Sequence, residues 1–154
     1  MTSWGDVQRE APGFAARVQK LFDAGVNKII ATIRADGSPR VSGIEAQFTD
    51  GELTFGSMPD ARKGADLRRD PRFAMHGPSP DPPADNVSWA GDAKIAGRAV
   101  PVGEVPDDQD GDQEGQQYRA DISEVVITHL NESATKLVIE TWRPGGGVRR
   151  VERA

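Results

Sequence analysis

Residues 55–73, FGSMPDARKGADLRRDPRF, set the frame for the rest of the chain. They read as a strand ending at Ser57, a helix over 59–69 opened by Pro59, and a second strand entered through Asp70-Pro71. Five basic side chains crowd the unit: Arg62, Lys63, Arg68, Arg69 and Arg72. A helix N-terminus carries unpaired N–H groups and a partial positive charge. With Ser57, Arg62 and Lys63 added, the segment forms a cradle for a phosphate. Arg68 and Arg69 lie at the far end, where they complement the helix's negative pole or form plain surface.

Working outward, strands and tight turns dominate. Upstream, Phe14, Val18, Leu21 and Phe22 share one stripe of a helix over 13–24, with Gly25 at its C-cap. Strand-like runs follow over 27–34, 39–48 and 52–56, joined by turns at Asp36-Gly37 and Asp50-Gly51. Downstream come strands over 72–76 and 92–102, the latter bent at Gly97. Between them, residues 77–90 hold Pro78, Pro80, Pro82 and Pro83, the mark of an irregular surface loop. A closing hairpin pairs 118–130 with 135–143. Six or seven strands with two helices predict a mainly β fold, a small closed or partly closed antiparallel barrel.

The chain has 154 residues, which suits one domain over 1–154. Its net charge of −5 is concentrated in residues 104–114, which hold six acids and no base; setting those six aside takes the net charge to +1. The stretch over 103–117 reads as a solvated acidic loop. Asp108, Asp110 and Asp112 lack the glutamate that closes an EF-hand loop, which argues against calcium. Without cysteine the chain has no disulfide, thiolate nucleophile or cysteine-bound metal. Two histidines without a spaced carboxylate cluster give no metal site. The opening residues lack signal-peptide order, and no apolar run approaches the roughly 20 residues of a membrane span. A cytoplasmic protein without membrane contact is expected. The scarcity of aromatics near the basic segment and an acidic total argue against nucleic acid.

Three blocks carry a resemblance to a known family. The first is the hairpin Ile30-Ala31-Thr32-Ile33-Arg34-Ala35-Asp36-Gly37-Ser38-Pro39-Arg40-Val41-Ser42. The second is the 55–73 segment, with its serine, Arg-Lys pair and helix ending in Asp-Pro-Arg. The third is Glu140-Thr141-Trp142 followed by Arg149 and Arg153. In this order and spacing, over about residues 26–153, the chain resembles the pyridoxamine 5′-phosphate oxidase-like superfamily. These are FMN-binding split β-barrels with antiparallel, Greek-key-like connections.

The resemblance implies a homodimer that holds FMN between its subunits. It implies that Arg40, Ser57, Arg62 and Lys63 grip the flavin phosphate, with Ser42 and Ile44 on the strand that passes the ring. Trp142 and Arg149 match positions that the second subunit contributes around ring and substrate. Two departures argue against a pyridoxal phosphate synthase: Glu45 stands where the vitamin oxidases carry lysine, and Val151 where they carry histidine. The glycine-rich tail is similar to an actinobacterial branch whose members use FMN or the deazaflavin coenzyme F-420. Arg62, Lys63, Arg68, Arg69 and Lys94 offer a basic groove for the deazaflavin's acidic tail.

The expected function is a flavin- or deazaflavin-dependent oxidoreductase acting on a small organic molecule. The alternatives are a non-catalytic flavin- or haem-binding module and an empty-pocket structural dimer. No acid–base dyad stands out. His76, Trp89 and Tyr118 are the residues left to place relative to the pocket.

Overall fold

The computed structural model describes residues 1–85, 87–103 and 115–154. Helix α1 (Trp4–Glu10) opens on a capping box in which Ser3 and Asp6 satisfy each other's backbone N–H groups. Helix α2 (Pro12–Phe22) follows at once and buries Phe14, Ala15, Val18 and Phe22. The rings of Trp4 and Phe22 meet Phe48 at centroid distances of 4.5 and 5.8 Å. Burying side chains of this size stabilises by roughly 1.5–3 kcal/mol each.

The strands are β1 (Asn27–Ile33), β2 (Pro39–Thr49), β3 (Glu52–Gly56), β4 (Arg72–His76), β5 (Asp92–Val102), β6 (Gln117–Leu130), β7 (Leu137–Arg143) and β8 (Gly147–Arg153), with helix α3 (Arg62–Arg69) before β4. Their order is β3-β2-β1-β4-β5-β6-β7-β8, and a further β3–β6 pairing joins the first strand to the sixth. That pairing closes a six-stranded antiparallel barrel through Thr54↔Arg119, Phe55↔Tyr118 and Gly56↔Gln117. Strand β6 then parts from β3, and its far half pairs with β7 from Val125 to Leu130. The barrel is split along β6, and β7 and β8 continue the sheet beyond it.

The bend expected at Gly97 is a register shift between Ala96 and Gly97. A Cβ on Gly97 would lie 2.1 Å from the Asp121 carbonyl oxygen, so the close approach of β5 to β6 requires glycine there.

Three features differ from the sequence reading. Helix α1 was not expected, although Ser3-x-x-Asp6 is a capping signature. Helix α3 begins at Arg62 rather than at Pro59, because Asp60 has φ 58° and breaks the helical path between them. The tail beyond Arg143 turns through Gly145 and Gly147, at φ 74° and 64°, and returns as β8. The acidic 104–114 stretch, including Asp108, Asp110 and Asp112, lies outside the described residues. No helix among the described residues is long and apolar enough to cross a membrane.

A charge cluster fastens α2 to the extended sheet. Arg17 donates to both oxygens of the buried Glu140 at 3.0 and 2.5 Å, and His129 Nε2 lies 2.8 Å from Glu140 Oε2. The Arg17 guanidinium, helped by His129, outweighs burial and holds the Glu140 carboxyl below its ordinary 4.5. A depressed carboxyl stabilises above the unfolded value and loses that contribution as pH falls through the folded one. Replacing the half-exposed Arg17 by alanine is expected to cost about 1 kcal/mol near neutrality. The loss should shrink below pH 4.5, read as melting temperature against pH for both proteins; a gap that widens in acid contradicts the assignment.

Candidate functional site

Strand alternation decides what faces outward. On β2, Ile44 and Ala46 are buried, while Gly43, Glu45 and Gln47 are exposed. On β1, Lys28, Ile30 and Thr32 are buried and Ile29 is exposed. The outward residues of β1, β2 and β3, the 57–59 turn, Lys63 and residues 115 and 117 enclose a cleft of about 1030 Å³. Gly43 presents exposed main chain to it, and an added Cβ there would meet nothing within 4 Å. Val26, Ile29 and Met58 give it an exposed apolar lining, with Met58 77% exposed, beside the polar Asp23, Asn27, Glu45 and Gln47. Exposed main chain beside apolar side chains suits a planar ring system.

One end of the cleft offers donors. Ser57 is 5% exposed, and its N–H donates to the Gln116 carbonyl at 2.9 Å. The Ser57 hydroxyl forms no hydrogen bond with any described residue. Lys63 donates from Nζ to the Gly43 carbonyl at 3.1 Å. At the start of α3, Ala61 accepts from Gly64 and Ala65, while the N–H groups of Arg62 and Lys63 face no described acceptor. The Arg62 side chain is exposed and stands outside the cleft.

Behind this end lies a buried ion network that the sequence reading did not anticipate. Asp66, 2% exposed, accepts from Thr32 Oγ1 at 2.8 Å, Arg40 Nε at 2.7 Å and Arg69 Nη2 at 3.0 Å. Burial pushes its carboxyl upward, but these hydrogen bonds win and hold it below the ordinary 3.8. Arg40 was expected to reach outward; instead its side chain is 17% exposed and turned onto Asp66. Arg69 also donates to the Ile33 carbonyl at 2.9 Å. Arg72 chelates Asp70, whose carboxyl is pulled down to about 2 by that guanidinium. Arg69 and Arg72 are therefore engaged within the fold.

Other expected residues scatter. Ile44 lines the cleft, whereas Ser42, two residues away, does not. Trp142 is not presented to a neighbouring chain: it is 0% exposed within the core, with an indole N–H that finds no partner among the described residues. Arg149 is exposed on β8 opposite Thr141. His76, Trp89 and Tyr118 stand outside the cleft, as does Lys94 on β5. Tyr118 stacks on Phe55 at 5.7 Å. Gly43 was overlooked, although its place between Ser42 and Ile44 puts it on the outward face. Lys28 was overlooked too; its buried ammonium holds the α2–β1 turn through the Gly25 and Val26 carbonyls at 2.8 and 3.2 Å.

The family model for pyridoxamine 5′-phosphate oxidase matches residues 22–144. The chain belongs to that family. None of the curated proteins matches it. Among solved structures, a pyridoxamine 5′-phosphate oxidase-related, FMN-binding protein from Nostoc punctiforme is similar, with 10% identity and a TM-score of 0.61 over 96% of each chain. PhzG from Burkholderia lata, solved with tetrahydrophenazine-1-carboxylic acid, has 15% identity and a TM-score of 0.57, covering 93% of this chain and 87% of its own. An F-420 reductase has 16% identity and a TM-score of 0.52, covering 70% of this chain and 94% of its own. At these identities the likeness establishes the split-barrel fold.

Proposed function

We propose that this family member is a cytoplasmic, flavin-dependent oxidoreductase that binds FMN in the cleft and acts on a small organic substrate. The observation that carries the reading is the pairing of side-chain-free space at Gly43 with donors at Ser57 and the start of α3 that meet no described acceptor. These residues fit the group: a phosphate supplies the acceptors that the Ser57 hydroxyl and the Arg62 and Lys63 N–H groups lack. The ring system then lies along β2 over Gly43. When bound, FMN supplies the redox chemistry, while the protein binds, orients and excludes water. Lys63 holds the phosphate end through its charge, and Ile29, Val26 and Met58 shield the ring end from solvent. Arg40 keeps both Nη groups free of described partners, so it can serve Asp66 and an anion together.

A homodimer completes the reading. Val26, Ile29, Val41 and Met58 leave large apolar surface on and beside the cleft, and β8 is exposed along its whole length. A second copy covering the cleft removes that surface from water. The alternative cofactor is the deazaflavin. Its long acidic tail needs an extended row of free cations; of the five groove candidates, Arg69 is engaged with Asp66 and Lys94 stands on β5 outside the cleft, which favours FMN.

The deciding experiment is titration of purified protein with FMN and with coenzyme F-420 side by side. Saturable FMN binding in the micromolar range supports the proposal, and exclusive deazaflavin binding replaces it. Lys63→Ala is expected to weaken FMN by about 1.5–3 kcal/mol, the value of one hydrogen bond to a charged group, read by fluorescence quenching. Unchanged affinity removes Lys63 from the phosphate end.

A further inference from the structure

We propose that Arg68 is a further anion-binding residue, its guanidinium closing with the Ser57 hydroxyl on the terminal oxyanion of the ligand in the cleft. The inference deepens the FMN reading and rests on it for the identity of that anion.

Four observations converge. Of the five basic side chains of the 62–72 segment, Lys63, Arg69 and Arg72 have protein partners. Arg62 and Arg68 have neither a hydrogen bond nor an ion pair with any described residue. Helical side chains lean toward the helix N-terminus and cover the turn before their own Cα. Arg68 therefore runs back over Gly64, and its Nη1 comes within 3.8 Å of the point where a Gly64 Cβ would stand. Ser57 Oγ lies 2.8 Å from that same point.

Glycine at 64 thus lets the Ser57 side chain pack directly against α3, where a hydroxyl and a guanidinium converge from two elements. Neither group is satisfied by the described protein, and the hydroxyl belongs to a residue more than nine-tenths buried. A charged acceptor that meets both the hydroxyl and the guanidinium takes a charge-assisted hydrogen bond from each. The nearby acids do not serve Arg68: Asp66 is taken by Arg40, Arg69 and Thr32, and Asp70 by Arg72. Arg68 is not among the residues that line the cleft, so it closes on a ligand from outside while Lys63, on the same helix, holds it from within the cleft.

The test uses inorganic phosphate on the ligand-free protein, with chloride-matched controls, read as melting temperature against phosphate concentration. Wild type and a remote control, Lys136→Ala on the β6–β7 turn, are expected to gain stability alike. Arg68→Ala should need about tenfold more phosphate for the same gain, and Arg68→Lys should recover part of the response by restoring charge without the planar fork. An equal response in wild type and Arg68→Ala, or none in wild type beyond the chloride control, overturns the proposal. FMN and riboflavin titrations separate the two readings. Phosphate binding that depends on Arg68 without FMN binding sinks the FMN reading alone. FMN binding that ignores Arg68→Ala sinks the Arg68 assignment alone.

Discussion

Gly43→Val is expected to abolish FMN binding while leaving the protein folded. Position 43 is an outward-facing site in the middle of β2, and its φ lies outside the left-handed region. A β-branched residue suits such a strand, and replacing a strand-interior glycine removes an entropic penalty of roughly 0.5–1 kcal/mol. An added Cβ meets no protein atom within 4 Å, so the melting temperature should hold or rise slightly. The same side chain projects into the cleft, where the ring needs van der Waals contact with the main chain. Lifting the ring also draws the phosphate from Ser57 and Lys63. The combined loss should reach about 4 kcal/mol, near a thousandfold in Kd. Titration of folded Gly43→Val with FMN and with inorganic phosphate checks this. Retained FMN affinity places the ring elsewhere, whereas loss of FMN with phosphate still bound locates the ring over β2.

That experiment turns on a residue that sequence reading passed over, and the reason is physical. Periodicity, turn residues and capping signals describe the chain's local path, and here they describe it well. Asp70-Pro71 does lead into β4, Gly97 does mark a bulge, and Asp50-Gly51 does turn β2 into β3. The three family blocks carried the barrel for the same reason, since each is a local unit. What local signals do not carry is which partner a polar side chain takes across the fold. Arg40 and Asp66 are 26 residues apart, and nothing near either one indicates that they meet under α3. The resemblance implied a site role for Trp142, yet strand alternation on β7 turns it inward with Val138 and Glu140. Gly43 shows no chemistry of its own, and becomes informative only once the cleft above it exists.

The second large effect concerns the buried network. Asp66→Asn is expected to destabilise the protein by about 3 kcal/mol near neutral pH. The substitution keeps size and one acceptor but removes the carboxylate that Arg40 and Arg69 share among the described residues. Arg40 is 17% exposed on its side chain, so its guanidinium cannot rehydrate without leaving its place between β2 and α3. Breaking a buried pair by deleting one partner costs about 3–5 kcal/mol; the lower end applies because Arg69 is partly solvated. In a protein of this size each kcal/mol corresponds to roughly 2–4 °C in melting temperature. The pH dependence identifies the source. Because the folded Asp66 carboxyl titrates below the ordinary 3.8, its contribution is complete above that value and is lost as pH falls through the folded one. Wild type should therefore approach the variant in acid, below pH 4, and stand clear of it at pH 7. A companion change, Arg40→Met in the Asp66→Asn background, should recover part of the loss, since it removes the stranded cation and leaves an apolar stem. If Asp66→Asn melts within a degree of wild type at pH 7, solvent already screens the pair. Arg40 is then free to act as the outward-reaching phosphate ligand that its strand position first suggested.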